Sequence, residues 1–213
     1  MKIIGISGKK QSGKTTVTDF LELKLQCAGQ IAFADYLKEI VCVCFGTVLN
    51  KVNGSDEDKN EILSCGKSIR EVLQIIGTDW FRSLDTDCWV RAYKEKVAYD
   101  DGEDEESDFL DYVILTPDVR FPNEVKCIQD LGGHVIRLLR NPHNDQHESE
   151  TALDHMEKQG NATRKEIIAR KNPLYALVWD SDNGFDAIID NREMTIAEQN
   201  EAVWRLINQK GWL

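Results

Sequence analysis

The chain has 213 residues, of which 41% are hydrophobic and 30% are charged, the ordinary balance of a soluble globular protein. No stretch approaches the roughly 20 apolar residues of a membrane span. The 37 acidic residues outnumber the 26 basic ones and give a net charge of −11, which argues against tight nucleic-acid binding because phosphate contacts need a basic surface. Eight of the acids lie within 100–111, where we predict a solvated, mobile loop.

The first half of the chain alternates between strand-like and helix-like segments. An apolar run at 2–7 predicts a buried strand, and apolar residues at helical spacing over 14–27 predict a helix with Gly29 as its C-cap. Residues 31–34 are predicted to form the second strand, and a helix is predicted from Asp35. A polar loop at 53–58 and helices at 67–76 and 78–97 follow, with a break at Gly77 and an N-cap at Thr78.

The second half contains the clearest strands. Strands are predicted at 112–116, 134–139 and 187–190, and helices at 123–131 and 196–209. Strands that alternate with helices predict an α/β, doubly wound fold with a parallel sheet of about five strands. We expect a single domain over 1–213, with a helical, substrate-binding insertion at about 50–110 and a polar lid segment at about 141–171.

Residues 8–15 match the phosphate-loop pattern G-x-x-x-x-G-K-[ST] in full. Gly8 and Gly13 allow backbone N–H groups to curl around phosphate oxygens, Lys14 neutralises phosphate charge, and the Thr15 hydroxyl can bind Mg²⁺. The motif follows a predicted strand and opens a predicted helix, which is the context that it requires. The pattern therefore predicts nucleoside triphosphate binding, and the alternative is a glycine-rich turn without a ligand.

Two further groups of residues have candidate roles. Asp118 and Arg120 follow a predicted strand, where α/β folds place a carboxylate that binds Mg²⁺ through water; alternatively, Asp118 only caps the turn before the next helix. Arg70 and Gln74 are four residues apart and share one face of a predicted helix, as would suit a phosphate and a base. The alternative for this pair is solvated surface side chains.

Five segments, taken in order, resemble one family. They are the phosphate loop at 8–15, F-A-D-Y-L-K-E at 33–39, I-R-E-V-L-Q-x-x-G-T-D-x-F-R at 69–82, D-V-R-F-P-N-E at 118–124 and D-x-H-x-S-E at 145–150. Together they look like the phage deoxynucleoside monophosphate kinases, and the resemblance runs from about residue 2 to 155. The ordered set is far more specific than the phosphate loop, which thousands of proteins share.

The resemblance implies a three-layer P-loop kinase fold and transfer of the γ-phosphoryl group of ATP, with Mg²⁺, to a deoxynucleoside monophosphate. It implies that Lys14, Arg120 and Asp118 are catalytic and that Thr15 and Asp118 hold the metal. The residues implied to bind ATP are Gly8, Lys10, Gln11, Ser12, Gly13, Lys14, Thr15 and Thr16. The residues implied to bind the acceptor are Lys10, Asp35, Lys38, Arg70, Gln74, Arg120, Arg140, His147 and Glu150.

Two positions depart from the family pattern. Tyr36 stands where proline is expected, which bears on the shape of the acceptor pocket, and Gln11 stands where a relative can carry a basic residue. The segment that contains Asp145, His147 and Glu150 resembles one that closes over the substrate. It would act as a lid, because a wet site would hydrolyse ATP.

Two other functions stay open at this point. The first is another small-molecule kinase on the same fold, acting on a phosphorylated metabolite or a coenzyme precursor. The second is a nucleotide-dependent switch or binding module, although the sequence has no N-K-x-D-type segment that reads guanine. The expected partners are ATP and a small acceptor, without nucleic acid or membrane, and a homodimer is compatible with the sequence. The expected location is the cytoplasm, that of the host if a phage encodes the chain.

Overall fold

The computed structural model describes residues 2–100, 112–143, 146–154 and 184–213. The predicted acidic loop therefore lies outside the described residues except for its first position. Most of the predicted lid segment, including Asp145, lies outside them as well. No helix among the described residues is long and apolar enough to span a bilayer.

The chain divides into two compact units, Met1–Ile31 with Val97–Leu213, and Ala32–Lys96. The first unit contains one sheet, whose strands are β1 (Lys2–Gly8), β2 (Ala28–Gln30), β3 (Val113–Val119), β4 (His134–Leu138) and β5 (Ala187–Ile189). All neighbouring strands are parallel, in the order β2-β3-β1-β4-β5. The predicted α/β fold with a five-stranded parallel sheet is confirmed.

The helices follow the predicted alternation. In chain order they are α1 (Lys14–Lys24), α2 (Asp35–Phe45), α3 (Leu49–Asn53), α4 (Asp56–Lys59), α5 (Ile69–Gln74), α6 (Phe81–Leu84), α7 (Cys88–Asp100), α8 (Pro122–Asp130), α9 (Glu148–Thr151) and α10 (Ile196–Lys210), with a π-helical segment at Ile75–Trp80. The parallel strands need these crossovers because parallel neighbours cannot be joined by a tight hairpin.

The core of the first unit joins the sheet to its first and last helices. Apolar side chains of α1 and α10 pack with those of β1, β3, β4 and β5 in one buried cluster: Ile4, Ile6, Val17, Leu21, Val113, Leu115, Ile136, Leu138, Ala187, Ile189, Val203, Leu206 and Ile207. Helix α10 begins at a reciprocal cap between Thr195 and Glu198 and ends at Gly211, whose φ of 65° favours glycine. The core thereby fixes the carboxyl end of β1 against the start of α1.

The second unit is helical and has its own core. Its buried apolar cluster is formed by Leu37, Val41, Val52, Leu63, Ile69, Val72, Ile76 and Trp89. The unit overlaps the helical insertion that was predicted at about 50–110 but begins earlier, at Ala32. The organisation as a single domain with a substrate-binding insertion stays a prediction.

The second strand lies earlier in the chain than predicted. Helix α1 ends at Lys24, where the Leu25 N–H donates to the Leu21 carbonyl, and Ala28–Gln30 pairs with β3. The prediction of a strand at 31–34 was wrong, as was Gly29 as a helix cap. Ala28–Gln30 is only partly buried, so it lacks the apolar run that marks a buried strand, and its pairing with β3 alone defines it.

Two predictions in the second unit were also wrong. The predicted polar loop at 53–58 contains α4, which starts at a reciprocal cap between Ser55 and Asp58. The predicted break at Gly77 and Thr78 is a continuous π-helical segment instead. A side chain at Gly77 would lie 2.5 Å from Leu37, and its carbonyl accepts from the Trp89 indole N–H at 2.8 Å. Glycine therefore serves close packing here.

Candidate functional site

The phosphate-loop residues form a turn between β1 and α1, at the carboxyl edge of the sheet. Gly13 adopts a φ of 100°, which favours glycine, and the next residue starts α1. Gln11 also has a positive φ, of 57°, and its side-chain oxygen lies 2.6 Å from the His143 Nε2 atom. The predicted strand–loop–helix context of the motif is present.

The Lys14 side chain folds back onto the loop. Its ammonium donates hydrogen bonds of 2.7 Å to the carbonyls of Gly8 and Lys9. Burial and the neighbouring charge of Arg120 lower the pKa of Lys14 from 10.5 to about 7, against the opposing charges of Glu150 and Asp118. A buried ammonium group of this kind is stabilised most by an anion placed beside it.

The loop holds an anionic group of the protein itself. The backbone N–H of Lys10 donates to the carboxylate of Glu150 at 2.6 Å. The other oxygen of that carboxylate accepts from the Arg120 guanidinium, which also donates to the Ser149 carbonyl at 3.3 Å. One buried carboxylate thus joins an N–H of the loop to the arginine that the family resemblance implies to be catalytic.

Glu150→Gln should lower the stability of the protein at neutral pH by about 2 kcal/mol, because it removes the carboxylate that pairs directly with the half-buried Arg120. Burial raises the pKa of Glu150, but the charge and hydrogen bond of Arg120 outweigh burial and hold that pKa below 4.5. The stabilisation is therefore present above about pH 4.5, the ordinary pKa of a glutamate. It is lost as the pH falls through the lower pKa that Glu150 has in the folded protein.

Melting curves of wild type and variant between pH 3 and pH 7 measure this effect. Glu148→Gln is the matched control, because Glu148 lies on the same short helix and is exposed. A difference in Tm that does not shrink in acid, or an equal loss in Glu148→Gln, would contradict the ion pair as its cause.

Arg120 and Asp118 reach the loop by way of β3. This strand extends to Val119, beyond the predicted end at 116, and places Val119 beside Ser7 of β1. The N–H groups of Arg120 and Phe121 donate to the Glu124 carboxylate at 2.7 and 3.0 Å. Glu124, for which the sequence predicted no role, therefore caps this turn. The negative charge of Asp118 raises the pKa of both Lys14 and Arg120, which favours their charged forms.

A second group of charges contacts the end of β1 and the phosphate loop, and the sequence motifs did not predict it. Arg137 of β4 is buried and donates to the Ser7 hydroxyl at 3.0 Å. Its guanidinium lies 3.8 Å from the Asp154 carboxylate, which accepts from the Lys9 ammonium at 2.7 Å. An arginine inside the apolar strand H-V-I-R-L was the available signal, because a charge is rarely buried without a partner.

Two other predicted residues of this unit, Arg140 and His147, have partners within the protein. The Arg140 guanidinium donates to the carbonyl of Asn191 at 2.8 Å and to that of Met194. The His147 imidazole accepts from the Ser149 N–H at 3.2 Å and caps α9. Thr15 is exposed at the first turn of α1, and Thr16 is half-buried. Their roles in binding stay predictions.

The remaining predicted acceptor residues belong to the second unit. The Arg70 guanidinium pairs with the Asp56 carboxylate, and Gln74 is half-buried at the end of α5. Asp35 accepts from the Lys96 ammonium at 2.8 Å and lies 3.7 Å from that of Lys38. Arg70 therefore already binds an oxyanion of the protein, while Asp35 and Lys38 lie together near the start of α2.

Comparisons with known proteins agree with one another. The profile of the deoxynucleotide monophosphate kinase family matches residues 55–166. A protein of Acanthamoeba polyphaga mimivirus, provisionally named a deoxynucleotide monophosphate kinase, is 30% identical over 163 residues, which cover 72% of this chain and 82% of the viral protein.

Two solved structures are also similar. TT1252 from Thermus thermophilus shows a TM-score of 0.45 at 14% identity, over 98% of this chain and 96% of that one. Thymidylate kinase from Candida albicans shows a TM-score of 0.44 at 13% identity, over 99% of this chain and 92% of that one.

Proposed function

The chain belongs to the deoxynucleotide monophosphate kinase family, and from this premise we propose that it transfers the γ-phosphoryl group of ATP to a deoxynucleoside monophosphate. The products are ADP and a deoxynucleoside diphosphate. The observation that carries the proposal is the carboxylate held by the Lys10 N–H beside Lys14 and Arg120. These three groups are arranged around an oxyanion, which is the chemical character of a phosphate.

In the proposed reaction, the loop N–H groups and Lys14 bind the donor phosphates, and Arg120 stabilises the migrating phosphoryl group. The acceptor phosphate is an already ionised nucleophile, so no strong general base is needed. Orientation of the two substrates and stabilisation of charge supply most of the rate. Arg70 is the proposed partner of the acceptor phosphate, which would exchange with the Asp56 carboxylate.

The proposed cofactor is Mg²⁺, held by the Thr15 hydroxyl and, through water, by Asp118. Both are hard oxygen ligands, which suit this ion. No group of three or more acidic, His or Cys side chains is placed to hold a metal in the described parts of the chain. The few protein ligands fit an ion that keeps its waters and phosphate oxygens, and that neutralises phosphate charge when bound.

ADP formation with each deoxynucleoside monophosphate, each ribonucleoside monophosphate and no acceptor tests the proposed function. We expect strong stimulation by at least one deoxynucleoside monophosphate. Slow turnover that ignores the acceptor would indicate a nucleotide-dependent switch. Stimulation by a different phosphorylated metabolite alone would indicate another small-molecule kinase.

Arg70→Ala should raise the KM for the acceptor by roughly 10- to 100-fold and change the KM for ATP much less, because it removes a charge-assisted contact to one substrate. Arg70→Lys should recover only part of the loss, since an ammonium lacks the planar fork of a guanidinium. Steady-state kinetics with each substrate varied separately measure both constants.

Arg91→Ala is the matched control for this change. Arg91 lies in the same unit and also pairs with an aspartate, Asp85, but its side chain is largely exposed. Small and equal changes in both KM values for the Arg70 variants would identify Arg70 as an ordinary surface charge. The acceptor phosphate would then have to bind elsewhere.

A further inference from the structure

Two buried amide side chains from the C-terminal part of the chain contact the phosphate loop from outside. Asn191 follows β5, and its Nδ2 group donates to the Ser12 carbonyl at 2.8 Å. Gln199 lies in the first turns of α10, and its Nε2 group donates to the Gly13 carbonyl at 3.2 Å. Both side chains are completely buried. Neither residue belongs to the five sequence segments that resemble the kinase family.

The hydrogen bonds around the two amides determine which atom of each is oxygen and which is nitrogen. The Asn191 oxygen accepts from the backbone N–H of Arg140 at 2.7 Å. The Asn191 nitrogen must therefore face Ser12, and it donates to the Ser12 carbonyl and to the Gln199 side-chain oxygen. The Gln199 nitrogen is then left facing the Gly13 carbonyl. Each amide thus has one orientation in which every contact joins a donor to an acceptor.

The two contacted carbonyls control the N–H groups of the loop. A peptide unit is planar and trans, so its N–H points away from its C=O. The Ser12 carbonyl shares a peptide unit with the N–H of Gly13, and the Gly13 carbonyl shares one with the N–H of Lys14. Asn191 and Gln199 hold these carbonyls toward their own amide groups, which turns both N–H groups to the opposite side, at the N-terminus of α1, where an anion binds best.

Close packing supports the same arrangement. A side chain at Gly13 would lie 2.5 Å from the Gln199 amide, so the amide is in direct contact with the loop backbone. The Gly13 carbonyl also accepts the helical hydrogen bond from the Val17 N–H at 3.1 Å. The carbonyl is therefore held by two donors and cannot turn without breaking both.

We propose that Gln199 and Asn191 are positioning residues that hold the N–H groups of Gly13 and Lys14 toward the phosphates of the donor nucleotide. This inference rests on the proposed function, because it assigns the loop to a nucleotide. It predicts that loss of the Gln199 donor weakens the nucleotide complex more than it weakens acceptor binding. The loop would then have to order its peptide units when the nucleotide arrives.

Gln199→Met and Gln199→Glu test the proposal, since both keep the length of the side chain and remove the donor to Gly13. The Kd for ADP, measured by calorimetry, and the KM for ATP should each rise about tenfold, as for the loss of one or two hydrogen bonds. The KM for the acceptor should stay within about twofold of wild type. Gln209→Met, an exposed position of the same helix, is the matched control.

A role in stability alone would lower the Tm of these variants and leave the ADP Kd of the folded protein unchanged, which would overturn the proposal. Equal increases in both KM values would overturn it as well. If neither variant folds, Asn191→Asp takes their place, because it keeps the acceptor for Arg140 and removes the donor to Ser12. Failure of the wild-type protein to bind ADP would instead contradict the proposed function, so the two failures are distinguishable.

Discussion

Lys14→Ala should reduce turnover to below about one thousandth of the wild-type rate, because it removes the main positive charge on the transferring phosphate. Lys14 is buried against the loop and bonded to the carbonyls of Gly8 and Lys9. Its loss should therefore also release two peptide units of the loop, and the KM for ATP should rise together with the loss in kcat.

The measurement is ADP formation at saturating acceptor, with circular dichroism and a melting curve to show that the variant is folded. Lys210→Ala is the control, because Lys210 is an exposed lysine at the end of α10. A folded Lys14→Ala protein with a near-normal rate would contradict the assignment of the loop to the donor phosphates.

Arg120→Ala should lower kcat by about 10³-fold, in the range for arginines that stabilise a migrating phosphoryl group. The stabilisation grows as charge redistributes in the transition state, so kcat should change more than either KM. The geometry supports this placement, since one carboxylate joins the Arg120 guanidinium to the N–H of Lys10. Arg120→Lys should keep the charge but recover only part of the rate.

Steady-state kinetics of the two Arg120 variants, with donor and acceptor varied separately, measure the split between kcat and KM. Arg205→Ala, which removes an exposed arginine that pairs with Glu201 one turn away, controls for the loss of a positive charge. The outcome that counts against Arg120 is a kcat near wild type together with a loss of stability. Arg120 would then serve only to hold Glu150 and the helix that carries it.

The phosphate loop shows which parts of the candidate site could be predicted from the sequence. Its glycines, Lys14 and Thr15 could be identified because the motif is contiguous and each residue type has a local reason to be there. Arg120 could be placed near the loop because parallel strands present their carboxyl ends at one edge of the sheet. The contact of Arg120 with Glu150 could not be predicted, since it joins residues 30 positions apart in the chain.

Predictions from local sequence patterns were wrong where tertiary packing determines the backbone conformation. Ala28–Gln30 lacks the apolar run of a buried strand, and it is a strand because β3 lies beside it. Glycine at position 77 predicts a break in the helix, but the helix continues through it as a π-helical segment. Leu37 packs against the backbone of Gly77, and the Trp89 indole N–H donates to its carbonyl. In both places a decisive partner is distant in the chain, Val113 for Ala28 and Leu37 for Gly77, far outside the window of about 11 to 18 residues in which periodicity is visible.

By itself, the sequence determined the alternation of strands and helices, the parallel sheet, the phosphate-loop motif and the family, because these depend on short patterns of residue type. Only the tertiary structure brought Glu150, Arg137 and Gln199 to that loop. Their contacts with Lys10, Ser7 and Gly13 span 140, 130 and 186 positions. Buried polar groups must find partners wherever the fold places them, and short sequence patterns do not encode which distant residue becomes that partner.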